Sequence, residues 1–257
     1  MLFYTEKEAE KTPMNIKTIE RLTVQKEECG TQGLIRIDSF FQYMQHGAEV
    51  NAGTLHVGYQ DLQSRGLFFV LARTHIEVTE MIHAGDSLIH ETWPGNTSRF
   101  FFPRHHRFLS ADGAILAAAS SLWVTLDTKE RRLVSPSRSG ISFPDTSEFP
   151  APVAIPMHIA NCSEKILEED YSPVQEDFDL NGHVNNASYV RWMSEKLDSF
   201  LTGKEFISSL TVGFEKEIRG NDPVHFLLNK NGPSFSFHVL NSAGEKHFSA
   251  GGTISEG

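Results

Sequence analysis

Apolar positions along the chain change their spacing in a way that divides it into extended and helical segments. The stretch near Ile19 to Glu27 reads as extended, and Gly30 and Gly33 lead from it into a helical pattern opened by Asp38. Phe40, Tyr43, Met44, Gly47 and Ala48 share one face of that helix. Four strand-like stretches follow, near 67–78, 87–93, 99–109 and 114–126, separated by the turn signals Ala84-Gly85-Asp86, Pro94-Gly95-Asn96 and Ala111-Asp112-Gly113. The same order then returns. An extended 165–173 and a Gly/Asn-rich turn precede a helix over 187–201, in which Tyr189, Val190, Met193, Leu197, Phe200 and Leu201 fall at offsets 0, 1, 4, 8, 11 and 12. Strand patterns near 207–218, 224–229, 234–239 and 246–253 close the chain.

Between the two runs, Pro136, Pro144, Pro150, Pro152 and Pro156 mix with Ser135, Ser137, Ser139 and Gly140, the composition of a semi-rigid crossover. A repeated unit of one strand, one apolar helix and four strands predicts a curled antiparallel sheet wrapped round a helix, twice over. The expected class is therefore α+β, a tandem double hotdog. Its parts are an N-terminal extension at 1–14, a first unit at 15–140, a linker at 141–162 and a second unit at 163–257. A doubly wound parallel sheet would need helices between successive strands, and the pattern has none there.

Composition narrows the function. At 257 residues, the length allows two modest units or one duplicated core, and 39% hydrophobic residues with 19 Phe can bury it. A formal net charge of −10 argues against nucleic acid or an anionic membrane as partner of the whole surface. The longest unbroken apolar run, 66–72, is far too short to span a bilayer, and Glu6, Lys7, Glu8 and Glu10 are foreign to a signal peptide. Only Cys29 and Cys162 are present, which suits free thiols in a reducing cytoplasm. The start is not Arg- and Ser-rich like a transit peptide, so a bacterial cytoplasmic protein is the expectation.

Candidate chemistry concentrates in Asp177-Phe178-Asp179-Leu180-Asn181-Gly182-His183-Val184-Asn185-Asn186, just before the second helix. Asp179, Asn181 and His183 alternate and would share one face of an extended segment, with Asn185 or Asn186 capping the helix. The helix-start N–H groups beside them suit negative charge developing on a carbonyl oxygen. The same residue types also serve any turn before a helix. A metal site on Asp179 and His183 lacks a ligand-spaced second His. The matching first-unit loop, Cys29 to Arg36, has no acid, Asn or His, an asymmetry that duplication with divided labour explains.

Taken together and in order, the motifs resemble the acyl-acyl-carrier-protein thioesterases of plant plastids and bacteria. In the first unit these are Phe69 to Glu77, Gly85-Asp86 through Trp93, and Ser121-Leu122-Trp123-Val124 with the basic turn Thr128 to Leu133. In the second they are Asp179 to Asn186 and Leu210 to Glu217. The resemblance implies hydrolysis of a fatty acyl thioester on acyl carrier protein, without metal or organic cofactor, by a catalytic set of Asp179, Asn181, His183 and Glu217. Glu217, coupled to His183, activates water or attacks the thioester itself, with Asn181 and helix-start N–H groups on the carbonyl oxygen. Plant members often carry a Cys after the glutamate. This chain has Ile218, which argues against a cysteine nucleophile.

The first unit is expected to hold the acyl chain, with Phe40, Phe41 and Met44 as walls. Arg104, Arg107, Arg131 and Arg132 are candidates to dock the acidic carrier. An acyl-CoA thioesterase, a hotdog hydratase or dehydratase, and a non-catalytic acyl-binding protein are the other readings, and the assembly is a monomer or a homodimer.

Overall fold

The computed structural model describes residues 16–156, 158–179 and 182–257, so the N-terminal extension at 1–14 lies outside the described residues. In chain order the elements are β1 Thr18–Thr23, α1 Ile37–Thr54, α2 Tyr59–Ser64, β2 Leu67–Val78, β3 Ser87–Pro94, β4 Phe102–Leu109, β5 Ile115–Asp127, β6 Leu133–Val134, α3 Pro136–Ser139, β7 Lys165–Tyr171, α4 Asn186–Asp198, β8 Glu205–Phe214, β9 Val224–Asn231, β10 Ser234–Leu240 and β11 Lys246–Glu256. The result is a mixed α+β architecture, a large antiparallel sheet with few helices. Its strands lie in the order β1-β3-β4-β5-β2-β8-β11-β10-β9-β7, and β6, outside this order, pairs β5. The two halves of the chain join at one antiparallel seam, β2 against β8, from Arg73↔Gly213 to Glu77↔Ser209.

Each half lays one long helix on its sheet, α1 on β1 and β3 and α4 on β9, and the two helices pack on each other. Gly47 explains how closely α1 approaches: a Cβ there would sit 2.6 Å from Cε1 of His90. The halves are filled differently. Beneath α4, Tyr189 and Trp192 stack among Phe226, Phe237 and Phe248, all buried, in one aromatic core. Beneath α1 the sheet mixes apolar Leu88, Phe108 and Ile76 with polar side chains, His90, Thr92, Arg104, His106, Ser121 and Thr74, all buried.

Three local expectations are corrected. The first helix begins at Ile37 and its N-cap is Arg36, because the Asp38 carboxylate is buried against the Arg36 guanidinium at 3.1 Å instead of capping. The second helix ends at Asp198, leaving Phe200 outside it and exposed. The strand expected over 207–218 stops at Phe214, where Glu215 N and Lys216 N both turn to the His247 carbonyl and the ladder ends.

The proline-rich stretch is a strap. Its carbonyls accept from the far face of the sheet: Phe149 O from Trp93 Nε1 at 3.0 Å, Val153 O from Ser120 Oγ at 2.8 Å and Pro156 O from Arg73 Nη1 at 3.0 Å. Asn161 Oδ1 likewise meets His238 Nε2 at 3.1 Å.

Burial holds four imidazoles neutral. His90, His105 and His238 are each pushed down to about 4 by desolvation, and His106 lies well below the usual histidine range for the same reason. Between the ordinary histidine value and about 4, the unfolded chain binds protons that the folded chain does not, so stability falls as pH falls through that window. Urea unfolding at pH 7, 5.5 and 4.5 should show a steadily falling midpoint, whereas a flat profile would mean that these rings are charged in the fold.

Candidate active site

The loop before α4 is built on one buried carboxylate. Asp177 accepts from Tyr171 Oη at 2.8 Å, Val174 N at 2.8 Å, Trp192 Nε1 at 2.9 Å and Arg191 Nη2 at 2.5 Å. Its own carbonyl accepts from Asn185 N at 2.8 Å and Ser188 Oγ at 3.1 Å. One residue thus ties β7, the turn before the loop and the first two turns of α4 to a common point. From there Asp179 N donates to the His183 carbonyl at 2.8 Å, and Asp179 Oδ1 accepts from His183 N at 3.2 Å. Gly182, at φ 72°, makes the reversal between them. Leu180 and Asn181 lie outside the described residues, so the third member of the expected set has no structural description.

The chain leaving β8 meets this loop. Val184 N donates to the Ile218 carbonyl at 3.0 Å, and His183 forms a bridge with Arg219. These bonds bring Glu217 to His183, Oε2 lying 3.4 Å from Nε2. The Nε2 atom is buried and makes no hydrogen bond among the described residues, so the ion-pair distance is not matched by bonding geometry. The Glu217 carboxylate is instead gripped by Arg131, whose Nη2 lies 2.6 Å from Oε1 and 2.5 Å from Oε2, and is touched by Arg219 at 3.2 Å. Arg131, itself at φ 53°, lies over the Phe68 ring. Three of the four expected residues therefore fall on one loop and its neighbour.

Asn185 caps α4 by accepting from Ala187 N at 2.9 Å, and Ser188 N donates to the Asn185 carbonyl. The amide of Asn186, between them, is engaged by neither bond. Asn186 and Ala187 form the rim of a cavity that runs beneath α1, where Phe41, Met44, Leu71 and Trp123 line it. Phe40 faces elsewhere, edge-on to Phe108 at 4.9 Å, and borders a second cavity at the start of α1 beside Arg36 and Ile37.

The first unit carries the same loop in other residues. Gly30 N donates to Leu34 O and Ile35 N to Ile82 O, as Asp179 N does to His183 O and Val184 N to Ile218 O. In this register Gly30 stands for Asp179, Leu34 for His183 and Met81 for Glu217, so the acid, base and imidazole are all missing from the copy.

The four arginines expected on a docking face do not share one. Arg104 is buried, its Nη1 donating to Asn51 Oδ1 at 2.9 Å and Thr92 Oγ1 at 3.2 Å, and cannot meet another protein. Strand alternation turns its neighbour Arg107 to the other face, paired to Glu91 at 2.6 Å. Arg131 is committed to Glu217, and only Arg132 is largely exposed, with a 3.4 Å contact to Glu130. Sequence reasoning missed two contributors. Asp177 was legible as a motif neighbour that precedes Arg191 and Trp192 by about four helical turns' worth of chain, whereas nothing local ties Arg131 to a carboxylate 86 positions away.

Residues 15–137 match the family described as the acyl-ACP thioesterase N-terminal domain, and 161–253 match its C-terminal domain. A chloroplastic dodecanoyl-[acyl-carrier-protein] hydrolase of Cinnamomum camphora is 28% identical over 183 residues, 68% of this chain and 47% of that protein. A chloroplastic oleoyl-acyl carrier protein thioesterase of Arabidopsis thaliana is 25% identical, over 84% of this chain and 63% of its own length. The chain thus spans about half the length of the curated plant proteins it matches most strongly. Among solved structures, an acyl-ACP thioesterase from Bacteroides thetaiotaomicron superposes with a TM-score of 0.83 at 20% identity, over 94% of this chain and 98% of that one. A 12:0-ACP thioesterase from Umbellularia californica gives 0.82 at 22%, over 95% and 98%.

Replacing Asp177 by Ala leaves Arg191 with Glu195 alone and takes the acceptor from Tyr171 Oη, Val174 N and the Trp192 N–H, at a cost of about 3 to 5 kcal/mol. Thermal unfolding of Asp177→Ala should fall well below the parent, while Asp179→Ala, on the loop itself, should lower it far less. Equal losses would contradict the role of Asp177 as anchor.

Proposed function

The chain belongs to the acyl-ACP thioesterase family, and from that premise we propose that it hydrolyses the thioester joining a fatty acyl chain to acyl carrier protein, releasing free fatty acid and ending elongation. The observation that carries this reading is the meeting of His183 and Glu217, 3.4 Å apart, at the end of a helix whose first residues rim an apolar cavity. An acyl chain in that cavity has its carbonyl near the α4 N-terminus, where backbone N–H groups stabilise the oxyanion of a tetrahedral intermediate. Glu217 or His183 removes a proton from water as it adds to the carbonyl carbon. The same proton leaves on the pantetheine sulfur as the C–S bond breaks, so one water gives one carboxylic acid and one thiol. Direct attack by Glu217, through an anhydride that water then opens, uses the same residues. Asp179 holds His183 through its backbone, and the likeness to the family assigns Asn181 a part in the same chemistry.

Around this site we read a tandem double hotdog. Residues 15–140 form the acyl-selecting unit, 163–257 the catalytic unit, and 141–162 the linker. The arrangement needs no metal or organic cofactor. Support for the two units comes from the repeated loop and from one helix laid on each half of the sheet. The setting is the bacterial cytoplasm, in keeping with two free thiols. No helix among the described residues is long and apolar enough to cross a membrane. The carrier docks on the turn that bears Lys129, Arg131 and Arg132, since Arg131 already reaches Glu217 and the arm would arrive at the carboxylate.

Glu217→Ala and His183→Ala should each lower kcat for acyl-ACP hydrolysis by about 10²- to 10⁴-fold with the fold intact by circular dichroism. Near-normal turnover in either would remove that residue from the chemistry. Arg132→Glu should raise KM for acyl-ACP, flatten its salt dependence and leave acyl-CoA kinetics unmoved. Equal effects on both substrates would favour an acyl-CoA thioesterase with no carrier surface.

A further inference from the structure

The wall of the cavity beneath α1 carries a hydrogen-bond acceptor whose polarity is set from outside. His106, on β4, is 2% exposed, and its Nδ1 lies 3.1 Å from Nε2 of His90; the two rings stack with 9° between their planes. His90 Nδ1 lies 3.2 Å from the Glu20 carboxylate, which also meets Nε2 of the exposed His46 at 3.3 Å. A carboxylate accepts only, so His90 carries its proton on Nδ1 and offers a lone pair at Nε2. His106 must then donate from Nδ1, and a neutral His106 keeps its lone pair on Nε2. The nearby Arg104 cation and burial both favour that neutral form. The strand order fixes where the lone pair points. Nδ1 is held toward β3, on one side of β4, so Nε2 faces the other side, where Leu71, Thr74, Ser121 and Trp123 of β2 and β5 complete the cavity.

The corresponding face of the second half is filled with Phe226, Phe237 and Phe248, so polar residues here are not a requirement of the sheet. Thr74, 1% exposed, adds a hydroxyl to the same wall. An unsubstituted acyl chain would cover both polar groups without pairing either, and each such burial opposes binding. A hydroxyl on the chain satisfies both, donating to His106 Nε2 and accepting from Thr74 Oγ1. We propose that this small cavity, about 30 Å³, receives a hydroxyl group carried on the acyl chain, with His106 and Thr74 as the residues that read it. The proposal rests on the thioesterase reading for its substrate, but concerns the cavity alone.

Glu217→Ala protein, which holds substrate without turning it over, permits a binding measurement independent of hydrolysis. Titrated calorimetrically with acyl-pantetheine thioesters of one chain length that are unsubstituted, 3-hydroxylated or hydroxylated at mid-chain, it should bind one hydroxylated form at least about 10-fold more tightly than the unsubstituted one. The favoured isomer locates the hydroxyl. Thr74→Val and His106→Phe, each in the Glu217→Ala background, should reduce that ratio toward one, and Thr74→Val, nearly isosteric, keeps the test open if the His106 variant fails to fold. Equal affinity for all three thioesters, or a preference that survives Thr74→Val undiminished, overturns the proposal. Retained preference in a protein that hydrolyses no thioester would overturn the proposed activity and leave the cavity assignment standing.

Discussion

The buried carboxylate of Asp177 is the constraint on which the site depends. A charge excluded from water is tolerable only when its acceptor positions are filled, and here β7, the preceding turn and α4 each contribute a donor. The same residue's carbonyl holds the start of α4. Both ends of the loop from Phe178 to Asn185 are therefore fixed before any catalytic side chain is considered. The Ile218 carbonyl, bonded to Val184 N, brings the chain leaving β8 to His183.

The two halves share a loop but differ in what fills them. Both copies keep the loop's backbone bonds, but acid and imidazole survive only in the second, beneath whose helix a closed aromatic core leaves no room. The first half lacks those side chains and has a small, partly polar cavity of about 30 Å³ under α1. A helix N-terminus from one half thus looks into a cavity belonging to the other. A solid aromatic core lies beneath the helix that follows the His183 loop, and a small cavity lies beneath the other helix.

The sequence was informative wherever the signal was local. Apolar periodicity and Gly-containing turns locate the strands and both long helices to within a few residues, and the loop Asp179 to Asn186 stands out by composition as a candidate for chemistry, though the same residues serve any turn before a helix. What it did not reveal is what long-range contact decides. Glu217 reads as a strand residue, but β8 ends early because two successive amides share the His247 carbonyl. Arg104 reads as surface charge in a basic run, yet strand alternation turns it inward to Asn51 while Arg107 faces out. Arg131 sits in an ordinary basic turn, and only the fold carries it to Glu217. The Pro-rich stretch reads as a crossover, but its role as a strap depends on side chains of the sheet that meet its carbonyls.

The claim at the centre of this account is that His183 and Glu217 act as one unit on a thioester. It is tested most directly by a double-mutant cycle on kcat/KM for acyl-ACP hydrolysis, with Glu217→Ala, His183→Ala and the combined variant. Residues that act together lose their effect together, so the double variant should be no slower than about the worse of the two single ones. Losses that multiply, each variant keeping its full effect in the background of the other, would contradict a shared catalytic role.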